Sequence, residues 1–194
     1  MFARTESLGQ FIRYYPVVSV IIAIHLALYL ASTLPIFPNY WFFDNFAGVN
    51  LYITHGEYWR LLTPIFLHGG FTHLLFNSFS LVLFGPGLER MLGRGKFIFV
   101  YLVSGIAANF ATYLLEPLTY RHVGSSGAIF GLFGYYVSIV LLRKRTMSRQ
   151  DSQTIVTIAA ISIVMTFLQP NINITAHLFG LLAGFLLGAA TGRR

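Results

Sequence analysis

Six stretches of the sequence, roughly 17–35, 71–90, 97–115, 124–142, 154–169 and 172–191, are apolar almost without interruption. Each approaches the ~20 residues a helix needs to cross bilayer hydrocarbon, and none shows the ~10-residue alternation of a barrel strand. Backbone surrounded by lipid must satisfy its own polar groups, so the pattern predicts a bundle of transmembrane helices. Composition agrees: 56% of the 194 residues are hydrophobic and 10% are charged, where a soluble domain carries roughly a quarter charged. A soluble globular enzyme and a disordered chain are both excluded. The absence of cysteine removes disulfide scaffolds, thiolate metal sites and thiol catalysis. The expectation is an all-α polytopic membrane protein, one domain over 1–194 with six spans.

The first stretch does not read as a cleavable signal peptide, because it lacks a small-x-small site and ends in Leu34-Pro35. The last two, joined only by Gln169 to Ile172, must form a hairpin. Basic residues set the orientation. With the N-terminus cytoplasmic, Arg4, Arg13, Arg90, Arg94, Lys96, Arg143, Lys144, Arg145, Arg149, Arg193 and Arg194 lie inside, and only Arg60 and Arg121 outside. Both termini are therefore expected in the cytoplasm. The net charge of +7 becomes a topology signal, and Arg143-Lys144-Arg145 a contact for lipid headgroups rather than nucleic acid. The six-span form without a transit peptide points to a bacterial cell membrane.

Residues 36–70 form the longest connection, outside and between the first two spans. They are rich in aromatics: Phe37, Tyr40, Trp41, Phe42, Phe43, Phe46, Tyr52, Tyr58, Trp59 and Phe66. Such a segment is too aromatic for disorder, and Trp and Tyr favour the headgroup region. A structured element lying partly in the outer leaflet is expected. The segment leading to Tyr15-Pro16 reads as a short interfacial helix, and Glu89-Arg90 as an ion pair or helix cap.

Polar residues inside a bilayer are costly, so each one asks for a reason. His73 and Asn77 sit four apart, on one helix face, near the outer end of the second span. Gly124-Ser125-Ser126-Gly127 opens the fourth, and Thr175-Ala176-His177 lies near the outer end of the sixth. At ~1.5 Å per residue all fall within roughly 5–10 Å of the same edge. One site accounts for that coincidence. Gly180, Gly184 and Gly188 on the sixth span, with Gly124, Gly127, Gly131 and Gly134 on the fourth, allow close backbone approach. Packing along these stripes is expected to bring Ser126 within hydrogen-bond reach of His177. A serine hydroxyl needs a base, and histidine is the usual one. His73, the Asn77 amide and the Ser126 N–H are candidate donors for an oxyanion. No Asp or Glu lies near His177, so the sequence offers a dyad without a third member.

Trp59-Arg60, His73-x-x-x-Asn77, Gly124-x-Ser126-Gly127 and Ala176-His177-x-x-Gly180-x-x-x-Gly184 together resemble the rhomboid family of intramembrane serine proteases. The resemblance runs from about residue 55 to 188. It implies the rhomboid six-helix fold with a long embedded first loop, Ser126 as nucleophile, His177 as general base, and His73 and Asn77 as oxyanion stabilisers. Gly124 belongs to the same oxyanion and substrate-binding stretch. Trp59, Arg60, Gly180 and Gly184 would be structural. Phe130 matches a position where the family often has a tyrosine stacked on the catalytic histidine. Ile174 stands three residues before His177, with Asn173 one residue off, so an auxiliary polar contact of some relatives is absent or shifted. Implied partners are transmembrane protein substrates and the lipid bilayer, with no cofactor, metal or nucleic acid.

The same residues admit blander roles. Ser126 could be a packing residue, as Ser125 is expected to be, and His25 a structural one. His55, His68 and His122 read as ordinary loop or interface residues. A metalloprotease using His68, His73 and His177 lacks an H-E-x-x-H pattern. An aspartyl protease or a transporter lacks buried carboxylates. The alternative carried forward is a catalytically inactive relative that binds transmembrane helices or serves quality control; such relatives typically lose the serine or histidine that this chain keeps.

Overall fold

The computed structural model describes residues 5–35, 39–143, 147–170 and 172–191. Arg4, Phe37, Lys144, Arg145, Arg193 and Arg194, named above, lie outside the described residues. A short helix α1 (Leu8–Tyr14) opens with Ser7 and Gln10 bonded reciprocally. The long helices are α2 (Pro16–Thr33), α5 (Phe71–Leu92), α6 (Arg94–Leu115), α7 (Ser126–Leu142), α8 (Arg149–Leu168) and α9 (Ile174–Thr191). All of these except α7 are long and apolar enough to cross a membrane. The 17 residues of α7 rise only about 26 Å.

Helix ends differ from the apolar stretches where polar chemistry, not hydropathy, sets them. Ser148 accepts from Asp151 N at 3.0 Å, so α8 begins at Arg149 rather than near 154. α6 begins at Arg94, because charged side chains at a span's end leave the backbone helical. α7 begins at Ser126 rather than 124, because Gly124 has φ +120° and cannot belong to a helix. Glu89 acts as a cap rather than in an ion pair with Arg90. Its carboxylate accepts from Val17 N at 3.0 Å and Val18 N at 2.9 Å, holding the start of α2 against the end of α5.

α7 is the axis of the bundle. Every residue from Gly127 to Tyr136 is buried, which requires neighbours on all sides. The surrounding helices turn Leu30, Phe79, Phe99, Phe110, Phe167 and Leu186 outward. Exposed apolar side chains of this size on the outer helices fit contact with lipid. α9 packs on α7 closely enough that a Cβ on Gly180 would strike the Gly127 carbonyl, and one on Gly184 the Gly131 carbonyl.

The long connection is folded over residues 39–70. It holds α3 (Asn39–Phe46), β1 (Gly48–Val49), α4 (Asn50–Thr54) and two 3-10 turns, Tyr58–Leu61 and Thr63–Phe66. Arg60, 3% exposed, is its internal anchor. Nη1 donates to Ala47 O at 2.7 Å, Nη2 to Asp44 O at 2.6 Å and Nε to Glu57 at 2.5 Å. Trp59 Nε1 donates to Asn45 O at 3.1 Å while its ring stays half exposed. β1 pairs antiparallel with β2 (Arg121–His122), Gly48 facing His122. Gly124 N donates to Pro64 O at 2.8 Å and Asn109 Nδ2 to Leu61 O at 2.9 Å. The loop is thereby fastened to the turn that launches α7.

Candidate active site

The turn before α7 is where the polar residues of the fold meet. A Cβ on Gly124 would lie 2.5 Å from His73 Cε1 and Nε2 and 3.6 Å from Asn77 Nδ2. Glycine is needed there twice over, for its positive φ and for this approach. α5 thus lays His73 and Asn77 against the residue two before Ser126. Asn77 is 7% exposed and Ser125 wholly buried. Because Ser126 is the first residue of α7, its end of the helix carries unpaired N–H groups and the positive end of the dipole. That end favours developing negative charge.

From the other side comes α9. The His177 ring is 7% exposed and lies flat on Phe130, centroids 4.0 Å apart and planes 15° apart. Ser126 and Phe130 are four apart on α7, hence on one face, so the imidazole lies against the α7 face that also carries Ser126. Among the described residues no hydrogen bond joins Ser126 to His177. The glycine contacts bring the helices together, yet the hydroxyl and the ring are not bonded in this state; such contacts often tighten only with substrate present. His177 Nδ1 is instead 2.8 Å from Thr166 Oγ1 on α8.

Behind His73 the interior stays polar. His68 is wholly buried, its ring 5.2 Å from that of His73 and 4.7 Å from that of His25. His25 Nε2 is 3.4 Å from Tyr101 Oη. His68, read from sequence as an ordinary loop or interface residue, is an interior one, packed against His25 of α2 and His73 of α5. Burial, with His25 and His73 close by, pushes its pKa down to about 3. His122, in the strand facing Gly48, is pushed down by burial to about 4. Among the described residues no three His, Asp or Glu are grouped so as to hold a metal ion.

Of the residues named from sequence, the fold draws His73, Asn77, Gly124, Ser126, Phe130 and His177 to one end of the bundle. Trp59 and Arg60 stand apart in the loop; Gly180 and Gly184 lie in the α7–α9 contact. Asn173 caps α9, accepting from Ala176 N at 2.9 Å and donating to Thr112 Oγ1 at 3.0 Å. Sequence reasoning missed Thr166. Thr166 is one of several hydroxyl residues on α8, none set apart by periodicity, and only the fold shows what it faces.

Over residues 55–194 the sequence matches the Rhomboid domain. It is 53% identical over 187 residues, 96% of this chain and 94% of the other, to "Putative rhomboid protease YdcA" of Bacillus subtilis. It is 40% identical over 146 residues to "Rhomboid protease GluP" of Bacillus subtilis, covering 75% of this chain and 28% of that one. With "RHOMBOID-like protein 5" of Arabidopsis thaliana it shares 35% over 139 residues, 70% and 45% of the two chains. The chain therefore spans nearly all of the first relative and less than half of the other two.

Proposed function

The chain belongs to the rhomboid family, and from that premise we propose that it is an intramembrane serine endopeptidase using Ser126 and His177. The observation that carries this reading is the convergence at one end of the bundle. His73 and Asn77 lie against Gly124, and the His177 ring lies flat on Phe130, on the α7 face that carries Ser126.

The chemistry follows from these positions. His177 Nε2 takes the Ser126 proton as Oγ attacks a substrate carbonyl. The oxyanion that forms is met by the Asn77 amide, a His73 N–H and the Ser126 backbone N–H at the start of α7. The imidazolium returns its proton to the leaving amine. Water then repeats the sequence on the acyl-enzyme and frees Ser126.

The substrate is a transmembrane segment of another protein, cut in or beside the bilayer. A helical substrate has its carbonyls hydrogen-bonded, so residues that unwind it near the cut favour reaction. The excess of basic residues on the opposite loops orients the site toward the outer face, with both termini cytoplasmic. Similarity to Bacillus proteins supports a bacterial cell membrane, and the whole chain acts as one membrane domain.

Cleavage of a transmembrane reporter in proteoliposomes tests the reading. S126A and H177A each abolish cleavage with the fold intact, and a chelator leaves the parent unaffected. Undiminished cleavage by either variant would refute the dyad. The chain lacks cysteine, so single cysteines placed in each loop report orientation through an impermeant thiol reagent.

A further inference from the structure

The Nδ1 contact of His177 is unused by the chemistry above. Thr166 Oγ1 lies 2.8 Å from that nitrogen and also 2.8 Å from the carbonyl of Ser162, one turn back on α8. A hydroxyl has one proton, and a carbonyl only accepts. Both contacts are hydrogen bonds only if Thr166 donates to Ser162 O and the ring donates Nδ1–H to Thr166. The neutral imidazole then carries its lone pair on Nε2.

The setting supports a specific role. Thr166 is 1% exposed, while Met165, Phe167 and Leu168 around it face outward. Between residues 160 and 170 it is the one residue that α8 buries. An apolar side chain could fill that place without the cost of enclosing a hydroxyl. Here the hydroxyl is satisfied on both sides, and one of its partners is His177.

We propose that Thr166 is a positioning residue for His177, accepting from Nδ1–H so that the ring is held in the tautomer whose Nε2 is free to take a proton. The inference rests on His177 being the general base and supplies the third member that the acidic residues do not. Thr166 touches neither the reacting atoms nor Ser126. A neutral hydroxyl fixes the tautomer without adding charge to stabilise an imidazolium. Its loss therefore costs roughly tenfold, far less than the ~10⁴ seen when a triad carboxylate is replaced.

The test is 15N NMR of histidine-labelled chain in detergent, with the H177A spectrum assigning His177. The parent shows His177 protonated on Nδ1, T166S keeps that pattern, and T166V loses it. In cleavage T166V lowers kcat about tenfold at unchanged KM, and T166S stays within about twofold of the parent. A parent His177 protonated on Nε2, or a folded T166V with parental kcat, overturns the proposal. If T166V does not fold, the parent tautomer decides alone. The tautomer is read without turnover, so an active S126A would sink the dyad and leave this result standing.

Discussion

Phe130 lies flat against the imidazole of His177, with ring centroids 4.0 Å apart and planes inclined by 15°. The stack joins α7 to α9 one turn along from Ser126 and opposes rotation of the ring about its Cβ–Cγ bond.

A flat neighbour rather than mere volume should therefore matter. Aromatic stacking is worth roughly 0.5–1.5 kcal/mol beyond area. F130L, which fills space without a plane, is expected to lower kcat/KM roughly two- to tenfold. F130Y keeps the plane and should stay near the parent. Kinetics on one reporter substrate separate the cases; equal loss in both variants would mean that stacking is not the role.

The α7–α9 contact has no room for side chains. A methyl on Gly180 meets the Gly127 carbonyl, and backbone cannot give way as a flexible side chain can. G180A should cost at least ~1–3 kcal/mol and displace His177 from Ser126, lowering both the melting temperature and the activity. G95A, where nothing lies within 4 Å, is the control and should lower neither.

Glu89 fixes the far end of the bundle without touching the site. E89A leaves Val17 N and Val18 N without their acceptor, a loss of roughly 2–3 kcal/mol for bonds to a charged group. Differential scanning fluorimetry should show the drop, while the folded fraction retains its kcat. Loss of kcat at a temperature where the variant is folded would point to a coupling that this geometry does not contain.

Two histidines outside the spans, His68 wholly buried and His122 with both ring nitrogens enclosed, make stability depend on pH. His122 is pushed down to about 4 and His68 to about 3 from the ordinary 6.5, both chiefly by burial. A lowered folded pKa means that the unfolded chain binds the proton first. Their contribution is complete above 6.5, declines as pH falls from there, and is exhausted below about 4 for His122 and about 3 for His68. Melting temperatures in detergent across this range should fall, and H122Q should flatten part of the decline.

The spans were legible because a bilayer makes helices apolar over ~20 residues, a signal that survives without any knowledge of packing. His73, Asn77, Ser126 and His177 were legible because polar side chains are costly in lipid, and three separate spans carry them at one depth. Helix starts were read less well. The first turns of α6 and α8 contain Arg94, Lys96, Arg149 and Asp151, where hydropathy stops but the helix does not. His68 and Thr166 were misread or missed because their surroundings come from distant elements. His68 is enclosed by 3-10 turns folding beneath α5, and Thr166 by α9 crossing α8. Neither neighbour can be inferred from adjacent sequence.

The central claim is that Ser126 is a nucleophile activated by His177, and covalent labelling by a fluorophosphonate probe tests it most directly. Intact-mass and peptide mass spectrometry of parent, S126A and H177A would locate any adduct. The expected result is one phosphonyl group on Ser126 in the parent, none in S126A and strongly slowed addition in H177A. An adduct elsewhere, or equal labelling of the parent and S126A, would contradict the account.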